Sequence, residues 1–129
     1  MFTLFCFYSS DNEPKEVSVL EEKKYLIFHS NLLQLFQTCP LCSGPSKKTL
    51  KRPLGGMMVE VSQSCRSKSC GYQRRWRSQP MIGSVAAGNI LMSSAILMSG
   101  VSIQKFLNAL TSMNIATCSY STFFIHQQR

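Results

Sequence analysis

The chain has 129 residues, 44% of them hydrophobic, and a formal net charge of +8 at pH 7. This length fits one domain, or a small domain with an appendage. The strongly basic balance favours a polyanionic partner, which would be nucleic acid or, less often, an anionic membrane surface.

The first 24 residues are predicted to be an N-terminal leader and a mobile acidic linker. Residues 1–8 are apolar, but they lack the basic start and the small-residue cleavage site of a secretory signal peptide. Residues 9–24 hold five of the six acidic residues and show no periodic apolar positions. We therefore expect an intracellular, nuclear protein in a reducing compartment, where paired cysteines hold metal more often than they form disulfides.

The first elements after the linker are predicted to be a strand and a short helix. Residues 25–28 form a compact apolar run of strand type. Ser30 is predicted to cap a helix over residues 31–37, whose leucines and Phe36 offer an apolar face. We interpret this face as core packing, and the helix leads the chain into Cys39.

Two close pairs of cysteines have spacings typical of a structural zinc site: Cys39 with Cys42, and Cys65 with Cys70. Each pair is followed by a glycine, which we expect to supply the left-handed backbone of the turn. The second pair departs from the usual pattern, because four residues instead of two separate its cysteines. Four thiolates would leave no position for a water, so the predicted Zn²⁺ is structural. The alternative is a set of reduced cysteines without metal.

Two strands are predicted around the second cysteine pair. Residues 57–65 and 72–79 alternate between two faces, as strands do, whereas residues 45–53 are predicted to be a basic, turn-rich loop. Two strands joined by a cysteine-bearing turn form a hairpin. Together with the first cysteine pair, this hairpin predicts a zinc-ribbon domain over residues 25–80.

Basic residues are concentrated in and around this hairpin, and we predict that they bind nucleic acid. Between residues 47 and 77, nine basic residues accompany a single acid, Glu60. The nine are Lys47, Lys48, Lys51, Arg52, Arg66, Lys68, Arg74, Arg75 and Arg77. Trp76 among the arginines either stacks on a base or packs the hairpin onto the following helices, and we favour packing. The alternative for the whole set is a solvated basic face without a dedicated partner.

Residues 81–129 are predicted to be a three-helix segment. The first helix covers residues 86–98 and ends at Gly100, a typical C-cap residue. The second covers residues 103–113, and the third runs from residue 122 to the terminus after a cap at Ser119 or Ser121.

Any small helical bundle gives this pattern of three helices, and two functional interpretations go beyond it. A helix-turn-helix would place the last helix in a major groove. The residues offered to the groove would be Ser121, Thr122, His126, Gln127, Gln128 and Arg129. Alternatively, residues 81–101 anchor a small membrane protein, because residues 81–100 carry no charge and reach the length of a membrane span.

Four stretches of the chain carry a family resemblance. They are residues 25–36, residues 39–42, the run from Cys70 to Pro80 with its Trp-x-Ser-Gln-Pro ending, and the Ala-Gly-Asn run over residues 87–100. They resemble a family of transposon-derived, transposase-like proteins that is abundant in fish and invertebrate genomes. The resemblance implies a zinc-ribbon and helical region that precedes a catalytic domain of RNase H type in the family. It implies the four cysteines as zinc ligands in this chain.

These expectations define an α+β protein, in which a small zinc-ribbon hairpin precedes a three-helix, helix-turn-helix-like segment. We predict Zn²⁺ as cofactor, DNA or another polyanion as partner, and no enzymatic activity. Catalysis is not expected because the chain has no paired carboxylates after Glu60 and no triad or phosphate-binding loop pattern. The resemblance then implies a DNA-binding fragment without transposase activity. A membrane protein and a non-functional gene fragment remain as alternatives.

Overall fold

A three-stranded antiparallel sheet occupies the middle of the chain, with helices before and after it. The computed structural model describes residues 18–128. The predicted mixed α+β class is confirmed, because the chain combines a β-sheet with helices. The leader, most of the acidic linker and Arg129 lie outside the described residues.

The helix before the sheet, α1, spans His29–Gln34. It begins earlier than predicted, with Phe28 in place of Ser30 as the N-cap. The strand expected over residues 25–28 is wrong, because these residues form no strand and their large apolar side chains are exposed. An apolar run becomes a strand only where a neighbouring edge can pair with it, and no edge in the described chain does so.

The sheet has the order β1-β2-β3, with β1 at Ser46–Lys51, β2 at Glu60–Cys65 and β3 at Gln73–Arg77. The two strands of the predicted hairpin lie within their predicted ranges. The loop prediction for residues 45–53 is wrong over β1. Only Leu50 of this lysine-rich strand is apolar, so its alternation was hidden. Lysines are common on edge strands because they discourage further pairing.

The strand register divides the side chains between two faces. The inner face is covered by α1 and the segment that follows it, and it carries the rows Leu50–Val61–Trp76 and Lys48–Gln63–Arg74. The outer face carries the rows Lys47–Ser64–Gln73, Thr49–Ser62–Arg75 and Lys51–Glu60–Arg77.

A small apolar core lies under the inner face. Leu32, Phe36 and Val61 are buried there, and Trp76 packs against them with its ring centroid 5.5 Å from that of Phe36. The preference for a packing role of Trp76 is confirmed. Its partner is Phe36, which precedes the sheet, instead of the following helices.

After the sheet, a short hairpin leads into the helices. Its strands are β4 at Met81–Ile82 and β5 at Val85–Ala86. Helix α2 spans Ala87–Ser99, α3 spans Ile103–Ser112 and α4 spans Tyr120–Gln127.

The ends of these helices follow the predicted capping pattern. Gly100 ends α2 with a left-handed φ of 68°. Ser119, one of the two predicted caps, accepts a hydrogen bond from the backbone N–H of Thr122. A second apolar core of Ile96, Cys118 and Phe123 holds the helices together.

The stretch proposed as a membrane anchor is divided between the β4–β5 hairpin and the 13-residue helix α2. Among residues 18–128, no helix combines the length and the apolar character that crossing a membrane requires.

Hydrogen bonds join α2 to the sheet unit, by which we mean the part of the chain from α1 to the end of β3. Asn89, 2% exposed, accepts a hydrogen bond from the backbone N–H of Met57 at 3.0 Å. Gln79 accepts one from the backbone N–H of Gly88 in the first turn of α2, at 2.9 Å. Gly56 must be glycine, because its φ is +73° and a Cβ there would lie 2.5 Å from the Asn89 amide. These contacts fix α2 against the sheet unit.

Replacing Asn89 by Ala is expected to lower the free energy of unfolding by about 1–3 kcal/mol, because the Met57 N–H loses its partner. Urea denaturation of the purified chain measures this change. Asn108 is a matched control, since it is an exposed asparagine on α3, and its replacement by Ala should change the stability by less than about 0.5 kcal/mol. Equal effects at the two positions would contradict the structural role of Asn89.

Candidate metal centre

The fold brings together all four cysteines that the sequence singled out. Cys39 and Cys42 lie in the loop between α1 and β1, Cys65 ends β2, and Cys70 lies in the turn before β3. Their Sγ atoms all lie within 4.8 Å of one another. Residues from two separate segments therefore converge on one point at the end of the sheet.

The distances between the sulfur atoms fit a shared metal ion. The Sγ atoms of Cys39 and Cys70 are 3.6 Å apart, and those of Cys42 and Cys65 are 3.4 Å apart. A tetrahedral zinc site with Zn–S bonds of about 2.3 Å places its sulfurs about 3.8 Å apart. A disulfide would need about 2.05 Å, and all four thiols are free. The donor set is thus suited to a metal ion that prefers thiolates, such as Zn²⁺.

The first cysteine turn is closed by backbone hydrogen bonds. The N–H of Ser43 donates to the Cys39 carbonyl at 2.8 Å, and the N–H of Cys39 donates to the Gly44 carbonyl at 2.7 Å. The left-handed residue is Ser43, with φ 58°, so the role predicted for Gly44 is wrong. Gly44 instead provides space, because a Cβ there would lie 3.3 Å from the Cys42 sulfur.

The second turn accommodates its longer spacing. The backbone N–H of Ser67 donates to the Cys65 sulfur at 3.4 Å, and the N–H groups of Cys70 and Gly71 donate to the Ser67 carbonyl. Gly71 has the left-handed φ of 65° that was predicted for it. The four intervening residues therefore fold into a turn that still directs both sulfurs into the cluster.

The environment separates the acidities of the thiols. At Cys39, burial raises the pKa, but backbone N–H groups of Cys42 and Leu41 and the neighbouring thiols outweigh it and lower the pKa to about 7. At Cys65, the Ser67 N–H lowers the pKa, but burial and the other three thiols together raise it to about 12. The pKa of Cys70 is also raised, since burial and nearby thiols outweigh the N–H of Tyr72. A divalent cation would compensate this crowding of negative charge and displace the remaining protons.

Gln63 positions the first cysteine turn, and the sequence analysis assigned it no role. Its side chain is 3% exposed on the inner face, and its amide nitrogen lies 3.2 Å from the Phe36 carbonyl and 3.0 Å from the Thr38 carbonyl. These bonds tie the segment before Cys39 to β2. The sequence signal that could have identified Gln63 was a polar residue at an inward-facing position of an alternating strand.

The nine basic residues do not form one surface. Four lie on the outer face, two on the inner face, two in the second cysteine turn and one between β1 and β2. In that order they are Lys47, Lys51, Arg75 and Arg77; Lys48 and Arg74; Arg66 and Lys68; and Arg52.

Several of these cations already have partners within the chain. Arg77 donates to Glu60 at 3.0 Å, and Arg75 lies 3.6 Å from the same carboxylate. Arg74 lies over the Phe36 ring at 5.0 Å. Arg52 donates to the carbonyls of Gly56 and Thr117 and so links the β1–β2 loop to the segment before α4.

Helix α4 presents a mixed surface. Phe123 is fully buried, while Phe124 and Ile125 are 39% and 54% exposed. Of the predicted groove-contacting residues, Ser121 and Gln128 are exposed, whereas His126 lies 3.4 Å from Ser93 of α2. Arg129 lies outside the described residues.

The described residues thus define a small α+β protein with a cluster of four cysteines that could hold a metal ion. Comparisons with models of protein families, with curated proteins and with solved structures gave no match to this chain. The transposase-like origin therefore stays a prediction.

Proposed function

We propose that the chain is a zinc-stabilised DNA-binding module of zinc-ribbon type, derived from a transposase-like protein and acting in the nucleus. The observation that carries this proposal is the convergence of four free thiols, within 4.8 Å, beside a sheet rich in cations. The β2–β3 hairpin with two cysteines at its turn, and the cysteine loop before β1, support the zinc-ribbon part of this proposal. The helices after the sheet could act as a helix-turn-helix-like extension.

The role of Zn²⁺ in this proposal is structural. Cys39 and Cys42 come from the loop after α1, and Cys65 and Cys70 flank the turn of the hairpin. A metal ion held by all four would join these segments and leave no coordination position for a substrate. The apolar core under the inner face is small, so the metal would supply much of the stability of the sheet unit.

The charge distribution supports a polyanionic partner. Glu60 is the only acidic residue from residue 25 to the end of the sequence. Its carboxylate is held by Arg77 and lies close to Arg75, so no unpaired acid in the sheet unit would repel a phosphate backbone.

The residues that carry the family resemblance have structural roles here. Trp76 packs on Phe36, Gln79 bonds to the first turn of α2, and Asn89 bonds to Met57. They hold the sheet and α2 together, so the residues of the resemblance would serve the fold in this proposal. The choice of DNA target would depend on other residues.

Binding to a labelled DNA duplex over a range of salt concentrations tests the proposal. Each phosphate neutralised by the protein should contribute about −0.9 to the slope of log K against log salt. We expect a slope of about −3 or steeper for the zinc-loaded chain, since several cations are available. A neutral polymer of similar size serves as the control. No binding, or binding that is insensitive to salt, would contradict the proposal.

A further inference from the structure

The outer face of the sheet holds a shallow depression of about 420 Å³. It crosses all three strands and is lined by residues from each of them, including Gln63 and Arg74, whose side chains the register assigns to the inner face. Those on the outer face are Lys47, Thr49, Ser62, Ser64, Gln73 and Arg75. Five of these six side chains are exposed and Ser64 is half-buried, so the depression is open to a partner.

The chemistry of this lining matches phosphate oxygens. Lys47 on β1 and Arg75 on β3 flank the depression, and Ser62, Ser64 and Thr49 provide hydroxyl donors between them. Cationic, hydroxyl and amide side chains make most of the contacts that proteins form with nucleic-acid backbones. The side chain of Arg75 is 69% exposed despite its 3.6 Å approach to Glu60, so its guanidinium remains accessible.

Among the described strand residues, none with an aromatic side chain lies on the outer face. The register places Trp76 on the opposite, inner face, where it packs against Phe36. Binding of single strands relies on bases that stack on aromatic rings. This face offers no such ring, so it is suited to the sugar–phosphate surface of a double helix, where the bases stay paired.

Glu60 makes the two ends of the outer face differ in charge. It occupies the end row together with Lys51 and Arg77, while Lys47 lies at the opposite end beside Ser64 and Gln73. A phosphate would therefore be favoured near Lys47, at the end of the face away from the carboxylate, whereas Arg75 lies between the two ends.

We propose that the outer face of the sheet is the nucleic-acid contact surface, and that it binds the phosphate backbone of duplex DNA without stacking on bases. This inference rests on the proposed function and specifies the surface and the form of its partner. The register turns the side chains of Lys48 and Arg74 to the inner face, where Arg74 lies over the Phe36 ring, so they contribute mainly to the general field of the protein.

The register provides a matched pair of variants that separates the two faces. The outer-face variant is Lys47→Ala with Arg75→Ala, and the inner-face variant is Lys48→Ala with Arg74→Ala. Both remove one lysine from β1 and one arginine from β3, one position apart, and both change the net charge equally. Binding of each zinc-loaded variant to a fluorescent DNA duplex is measured by anisotropy over a range of salt concentrations.

The outer-face variant should reduce the magnitude of the salt slope by about two and raise Kd on the order of tenfold at about 0.1 M salt. The inner-face variant should change the slope by less than about one. The unaltered chain should bind the duplex more tightly than either separated strand.

Three results would overturn the proposal in distinguishable ways. An inner-face effect equal to or larger than the outer-face effect would place the contact elsewhere, and tighter binding to single strands would exclude the duplex. Absence of binding by the unaltered chain to both forms would contradict the proposed function itself. If either double variant loses zinc or fails to melt cooperatively, the single pair Lys47→Glu and Lys48→Glu makes the same comparison on the edge strand β1.

Discussion

Replacing Cys39 by Ser is expected to abolish zinc binding and to unfold the sheet unit. Binding of structural Zn²⁺ contributes about 10–16 kcal/mol in small domains at neutral pH. The total stability of most domains is only about 5–15 kcal/mol, so the loss of the metal would exceed what the small core under the inner face supplies. Circular dichroism melts and the zinc content of the purified variant measure the effect.

Cys118→Ser is the matched control for this variant. Cys118 is also a buried free thiol, but it lies in the core formed with Ile96 and Phe123, outside the cluster. Its replacement should leave the zinc content unchanged and cause only a modest loss of stability. A Cys39→Ser chain that keeps its zinc and its cooperative melt would show that Cys39 is not a ligand.

Replacing Phe36 by Ala should cost about 3–5 kcal/mol of unfolding free energy, as expected for a fully buried aromatic side chain. Phe36 is 1% exposed and connects three parts of the sheet unit. It packs on Val61 and Trp76, supports Arg74, and lies three residues before Cys39. The zinc affinity, measured by competition with a chelator, should fall together with the stability, because the first cysteine turn loses its support.

Leu35 provides the control for Phe36. It is the preceding residue, and its side chain is 68% exposed. Leu35→Ala should change the stability by less than about 0.5 kcal/mol and leave the zinc affinity unchanged. Equal losses for the two variants would contradict the packing of Phe36 beneath the sheet.

The parts of the structure that the sequence predicted are those with local causes. The spacings within the two cysteine pairs reflect short turns, and the structure brings all four sulfurs together. Helix α2 ends at Gly100 and α4 begins after Ser119, because caps act through neighbouring backbone groups.

The parts that were missed depend on distant partners. Strand β1 has one apolar side chain, Leu50, and it is a strand because β2 offers an edge. Residues 25–28 have a strand-like composition but find no edge. The β4–β5 hairpin is too short to show alternation, and the sequence marked it only by Gly83, which the structure places in the turn with a positive φ.

The candidate binding surface also could not be predicted from the sequence, because it depends on how distant strands pair. Composition identified nine cations, but it could not divide them between two faces or pair Arg77 and Arg75 with Glu60. That division follows from the register between β1, β2 and β3, which is a property of the paired sheet. The position of Gln63 beneath the cysteine turn has the same origin.

Native mass spectrometry of the purified, folded chain tests the central claim most directly. We predict one zinc ion per chain that is retained under non-denaturing conditions. When a chelator or acid is added, the zinc should be released and the charge-state distribution of the folded chain should be lost at the same time. A chain that is cooperatively folded without stoichiometric metal would contradict the account, because the four clustered thiols would then be held by the fold alone.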